Sequence, residues 1–172
     1  FYNIYNILAV FGAASMAGIP TKTLIKCLEI TLHSLDETNS SLSMALSYVK
    51  PCQNPAGFNQ NIGAVMTDTS PKDIIILIND NSQDGTDVSW LWDVDFDRLK
   101  DANASSITVT GIRGADMRLR LKYVDIASDL ENDIEKAIES KIKNGTKNLY
   151  VLVNYTGLYS THNILKKMEG KK

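Results

Sequence analysis

The stretch Asp73-Ile74-Ile75-Ile76-Leu77-Ile78 runs straight into Asn79-Asp80-Asn81-Ser82-Gln83-Asp84-Gly85-Thr86-Asp87. An unbroken β-branched run reads as a central strand of a parallel sheet covered on both faces, since a solvent-facing side would show alternation. The polar loop then lies beyond the carboxyl end of that strand, where open parallel sheets gather ligands. Ile107–Thr110 and Leu149–Val153 read as further strands. Leu42, Met44, Leu46 and Tyr48 alternate with small residues and read as a half-buried one. Helices are read between the strands over about 58–68, 113–124 (carrying Met117, Leu119, Leu121 and Tyr123), 129–142 and 157–168. Trp90, Trp92, Val94 and Phe96 alternate with Leu91, Asp93, Asp95 and Asp97, which reads as extended chain. Four strands separated by helices imply right-handed crossovers and an α/β fold, a mostly parallel sheet flanked by helices.

Upstream, Ile4, Ile7, Leu8 and Phe11 predict a helix over 3–17, ended by Gly18-Ile19-Pro20. Thr21 can cap a second helix over 22–33 with the stripe Leu24, Ile25, Leu28, Leu32. The polar residues 34–41 hold the one domain boundary, which divides the chain into 1–35 and 36–172.

The 172 residues carry 18 Lys+Arg against 20 Asp+Glu, a net charge of -2. That balance removes the electrostatic case for nonspecific nucleic-acid binding. The apolar stretch Ile7–Ile19 is broken by Gly12, Ser15 and Gly18 and is too short for a membrane span, so no membrane insertion is expected. Cys27 and Cys52 have no CxxC spacing and no nearby histidine, which argues against a metal ribbon or a disulfide framework. The opening Phe1-Tyr2-Asn3, without Met or cationic leader, reads as a segment from inside a longer chain.

Three loops fall at the carboxyl edge of the expected sheet: 79–87, Thr110-Gly111-Ile112-Arg113, and Asn154-Tyr155-Thr156-Gly157. Each also suits ordinary turn and capping chemistry. Asp80, Asp84 and Asp87 lack the calcium-loop spacing and its closing Glu, so no metal site is assigned. A carboxylate there could instead orient a histidine in a nucleophile–His–Asp arrangement. His33, His162 and Cys27 sit in helical patterns as structural residues, so the Cys and His of such a triad would come from another polypeptide. Arg113, in the first turn of a helix, could hold an anion. Arg118, Arg120 and Lys122 read as a solvated cationic face. No phosphate-cradling GxxxxGK[ST] or GxGxxG motif is present.

Phe1-Tyr2-Asn3-Ile4-Tyr5-Asn6-Ile7-Leu8-Ala9, Asn54-Pro55-Ala56-Gly57-Phe58-Asn59-Gln60, Asn79-Asp80-Asn81 with Asp84-Gly85, Asp87-Val88-Ser89-Trp90-Leu91-Trp92-Asp93, and Arg113 to Tyr123 together resemble the C-terminal part of the MurT-like branch of the Mur ligase family. The resemblance implies a Rossmann-like Mur ligase C-terminal domain, preceded in 1–35 by the helical end of the central, ATP-binding domain. It implies the ligase subunit of lipid II isoglutaminyl synthase, which uses ATP and Mg2+, held mainly by a central domain absent from this sequence. The D-glutamate α-carboxyl of lipid II becomes D-isoglutamine in peptidoglycan precursor, at the cytoplasmic face of a bacterial membrane.

Ammonia in that family comes from a GatD-like glutaminase partner, whose catalytic triad is completed by an aspartate of the ligase subunit. That role is carried to Asp87, with Asp93 and Asp84 as alternatives. Asn3 and Asn6 match the asparagines that approach the adenine, and Arg113 joins them as a nucleotide-binding candidate. Two other readings stand beside this one. In a noncatalytic glutaminase-docking scaffold, exposed Trp90 and Trp92 would be the anchors. A Mur-type amino-acid ligase would need no glutaminase.

Overall fold

The computed structural model describes residues 4–29, 46–51 and 54–169. The chain divides into two compact units, Phe1–Ser41 and Leu42–Lys172.

In the first unit, helix α1 spans Ile4–Met16 and helix α2 covers 21–29. Gly18, at φ 77, ends α1. The bonds Ile19 N–H to Ala14 O and Gly18 N–H to Ser15 O, both 3.0 Å, form a Schellman closure that satisfies two carbonyls of the last turn. Leu24 is the buried residue of α2, while Ile25 and Cys27 are exposed. The part of the expected second helix beyond 29, with Leu32 and His33, lies outside the described residues.

The second unit is built on five strands: β1 Leu46–Pro51, β2 Lys72–Leu77, β3 Ala104–Thr110, β4 Asp129–Leu130 and β5 Leu149–Val153. They form one sheet in the order β1-β5-β2-β3-β4, and every pair is parallel. Ile75 pairs with Val151 on one side and Thr108 on the other, so β2 is central, as its uninterrupted apolar run requires. Helix α3 is Pro55–Thr67, α4 Gly114–Tyr123, α5 Ile134–Lys143 and α6 Tyr155–Glu169.

Ile74, Ile76, Ile78, Tyr150 and Leu152 face a core with Phe58, Ile62, Met117 and Leu121 of α3 and α4. Ile75, Leu77, Val151 and Val153 face a second core with Ile138 and Leu165 of α5 and α6. Each of these fully buried Ile and Leu side chains contributes about 2–3 kcal/mol relative to exposure. Alternate residues of β2 and β5 therefore supply both layers.

Two expectations are corrected. Residues 89–101 are not extended but two 3-10 turns, Ser89–Asp93 and Phe96–Asp101. The buried residues here are Leu91, Val94, Phe96 and Leu99, with Val88 and Trp90 packed against them, a spacing of three, two and three that simple alternation does not describe. Residues 129–142 are not one helix. Asp125, at φ 54, turns the chain, 129–130 pair with β3 as a fifth strand, and α5 starts only after Asp133, whose side chain caps it by accepting the Glu135 N–H at 2.9 Å. The strand expected over 42–48 is β1 at 46–51, residues 42–45 lying outside the described ones.

Two glycines mark the carboxyl edge of the sheet. Gly111 has φ 91, and a Cβ there would lie 2.5 Å from Ile78 O and 2.9 Å from Asn79 Oδ1. Gly85 has φ 83, but a Cβ would meet nothing within 4 Å. Gly111→Ala combines left-handed strain with overlap against backbone and is expected to cost about 3 kcal/mol or more, whereas Gly85→Ala costs about 1 kcal/mol. Urea unfolding of the two variants checks this; equal losses would contradict the close approach at Gly111.

Candidate functional site

Beyond β2 the chain leaves the sheet at Asn79, and beyond β5 at Asn154. The two residues hold each other. Asn79 N–H donates to Asn154 Oδ1 at 3.1 Å, and Asn154 Nδ2 donates to Asn79 O at 2.6 Å. Asn154 is 2% exposed, so its carboxamide replaces the ladder bonds that end where the strands separate. Asn79 Oδ1 accepts Ile112 N–H at 3.1 Å, which ties in the loop after β3. The three edge loops singled out in the sequence are thus one bonded structure.

Its hub is Thr156, in the first turn of α6. The Thr156 hydroxyl donates to Asp84 Oδ2 and accepts from Asn79 Nδ2 at 3.1 Å and Asn81 Nδ2 at 3.0 Å. Asp84 Oδ1 accepts the Thr156 N–H at 2.8 Å. Asp84 therefore sits as an anion on the amino end of α6, favoured by the unpaired N–H groups there.

The other candidate carboxylates sit in different surroundings. Asp80 lies 3.5 Å from Arg113, and Arg113 also meets Asp116 at 2.9 Å. Asp87 is exposed on the surface and its Oδ1 accepts the Ser89 N–H at 2.8 Å. That backbone bond, aided by the Ser89 side chain, holds the Asp87 carboxyl below the usual carboxylate range. Asp93 is exposed, and no hydrogen bond among the described residues orients it. Among the described residues no three His, Cys, Asp or Glu group closely enough to hold a metal ion. Asn3, and the side chain of Asn6, lie outside the described ones.

The Asn54-Pro55-Ala56-Gly57-Phe58-Asn59 motif builds the support for this loop. Asn54 Oδ1 accepts Gly57 N–H at 2.8 Å and Pro55 opens α3, a paired start signal. Phe58 is buried against Trp90 and Phe96, with ring centroids 5.8 and 5.3 Å away. Asn59 Oδ1 accepts the Asp95 N–H at 2.8 Å. Trp90 is half-buried and packs into the core, a correction to the expectation that both tryptophans are exposed. Trp92 is 52% exposed, edge-on to Tyr123, itself 69% exposed, at 5.1 Å.

Arg120 also departs from expectation, being 8% exposed and not part of a solvated face. Its Nε donates to Leu91 O at 3.1 Å and its Nη2 to Val94 O at 2.9 Å, and its guanidinium lies 5.4 Å from the Trp92 ring. It gives the carbonyls of the short 3-10 turns a side-chain donor, Val94 O also accepting the Phe96 N–H at 2.9 Å. Arg120 and Thr156 are residues the sequence reading missed. The signal available for Arg120 was its place three residues after Met117, on the buried face of α4.

A parallel sheet with helices on both faces and loops gathered at its carboxyl edge is a Rossmann-like α/β domain. The chain is similar over its whole length to UDP-N-acetylmuramate-alanine ligase MurC of Thermotoga maritima, with a TM-score of 0.57 at 16% identity over 39% of that chain, a likeness of fold. Residues 52–158 match the family model described as MurT ligase C-terminal, and the chain belongs to that family.

Subunit MurT of lipid II isoglutaminyl synthase (glutamine-hydrolyzing) from Staphylococcus aureus strain COL is 31% identical over 134 residues, 73% of this chain and 29% of that protein. The subunit of the same name from Streptococcus pneumoniae R6 is 27% identical over 175 residues, covering 95% of this chain and 38% of that protein. The chain therefore spans well under half the length of these relatives.

The Asp87 geometry makes a direct prediction. Carbon-13 NMR titration of its side-chain carboxyl is expected to give a midpoint below 3.8, the ordinary value. A midpoint at or above 3.8 contradicts the Ser89 contact.

Proposed function

We propose that this chain is the C-terminal domain of the ligase subunit that amidates the D-glutamate α-carboxyl of lipid II to D-isoglutamine, at the expense of ATP and with ammonia from a GatD-like glutaminase. In this reading Asp87 completes the partner's Cys–His–Asp triad. The observation that carries the assignment is an exposed, ionised carboxylate held in one orientation by the Ser89 N–H at 2.8 Å, with no cation paired to it among the described residues.

A triad aspartate accepts the Nδ1–H of the histidine, fixes its tautomer and stabilises the imidazolium that forms when Nε2 takes the proton of the nucleophile. Asp87 can do this for a histidine brought to the surface by another chain. Asp84 cannot do so without releasing Thr156, because both its oxygens are engaged. Asp93 lacks an orienting contact. Residues 79–97 carry six aspartates and no lysine or arginine, a field that suits a partner with a basic rim. Trp92 and Tyr123, exposed beside that run, are the proposed anchors.

We place the nucleotide and its Mg2+ mainly outside the described residues. Arg113 is already neutralised by Asp80 and Asp116, and no phosphate-cradling loop occurs in the sequence. ATP and Mg2+ are assigned to the remainder of the full-length subunit, with Asn3 and Asn6 proposed at its adenine end. Arg113 stays the nucleotide-binding candidate of this domain, with Nη1 on Asp80 and Nε on Asp116. The site of action proposed is the cytoplasmic face of the membrane, where the lipid II precursor is made.

With the full-length subunit and its glutaminase, Asp87→Asn is expected to lower glutamine hydrolysis by about 10²–10⁴-fold while leaving the complex intact. Trp92→Ala is expected to weaken association by about tenfold or more. If Asp87→Asn hydrolyses glutamine at the parental rate while Trp92→Ala abolishes association, the domain is a docking scaffold and not a donor of the triad aspartate.

A further inference from the structure

The loop that carries Asp87 is tied to the first turn of α6 through one side-chain hydroxyl and one backbone N–H. Thr156 Oγ1 has one proton and two lone pairs, and all three are used by residues of the 79–84 segment: the proton on Asp84, the lone pairs on Asn79 Nδ2 and Asn81 Nδ2. The Thr156 N–H adds a further bond to Asp84 at 2.8 Å. Between this anchor and Asp87 stand only Gly85, at φ 83, and Thr86. On the far side, Ser89 fixes the Asp87 carboxylate at 2.8 Å. The segment is thus held at one end by α6 and at the other by the 3-10 turn that Arg120 supports.

We propose that Thr156 is a positioning residue for glutamine hydrolysis: through Asp84 it sets the place of the loop from which Asp87 reaches the partner's histidine. The proposal rests on the triad role assigned to Asp87 and gives the α6 amino end a task in a reaction it does not touch. A triad works only with its members in hydrogen-bond register, and a displacement of about 1 Å can cost about a hundredfold. Thr156→Val keeps the shape of the side chain and deletes the three bonds to its hydroxyl. Thr156→Ser keeps the bonds and deletes one methyl group.

The test uses the full-length subunit with its glutaminase, measuring kcat and KM for glutamine together with subunit affinity and melting temperature. Thr156→Val is expected to lower kcat about tenfold or more, with KM and subunit affinity within about twofold of the parent, and Thr156→Ser to restore kcat. The proposal is overturned if Thr156→Val turns over at the parental rate, if Thr156→Ser is as impaired as Thr156→Val, or if the loss lies in subunit affinity. Asp87→Asn, run alongside, separates the two ideas. Full activity of Asp87→Asn removes the triad assignment itself, whereas its inactivity together with an unaffected Thr156→Val removes only the role of Thr156.

Discussion

Where two parallel strands end side by side, their last amides lose ladder partners, and something must replace them or the edge frays. Here the reciprocal pair of Asn79 and Asn154 does so, at 3.1 and 2.6 Å. Both functional loops start from that clasp. It fixes the direction in which the chain leaves β2, lets Asn79 reach Ile112 beyond β3, and brings Thr156 of α6 under Asp84. A buried carboxamide with its partners satisfied stabilises by about 1 kcal/mol per bond, while leaving one unmade costs more than that. The edge is therefore cooperative.

The acidic residues of this edge have the same chemistry and different roles because their surroundings differ. Asp84 lies against the amino end of a helix and serves as its anion. Asp80 neutralises Arg113. Asp87, three residues after Asp84, has a backbone N–H on one oxygen and is exposed to solvent. A side chain held but not consumed is what a site completed by another polypeptide requires, and the depressed pKa keeps that carboxylate charged well into acid.

Much of the fold was legible because burial on both faces leaves a plain mark. Ile74 to Ile78 and Leu149 to Val153 are read as strands, and the helices expected between the strands coincide with α3, α4 and α6. The parts that were not legible depend on tertiary partners. The 3-10 turns at 89–101 exist because Phe58 and Arg120 receive Trp90, Phe96 and the carbonyls of Leu91 and Val94, and none of these contacts has a sequence period. The two-residue β4 is made by β3, not by its own residues. At the site, the sequence marked the three edge loops but not that Asn79, Asn154 and Thr156 join them, since a carboxamide or hydroxyl pairing across 75 positions leaves no local signal.

The central claim is that Asp87 faces the histidine of a glutaminase, and a structure of the full-length subunit bound to its glutaminase measures that distance directly. The account predicts an Asp87 carboxylate oxygen about 2.6–3.2 Å from the Nδ1 atom of the partner's catalytic histidine, with Asp84 still on Thr156. A histidine that meets Asp93 or Asp84 instead, or an aspartate of the glutaminase itself, would contradict it.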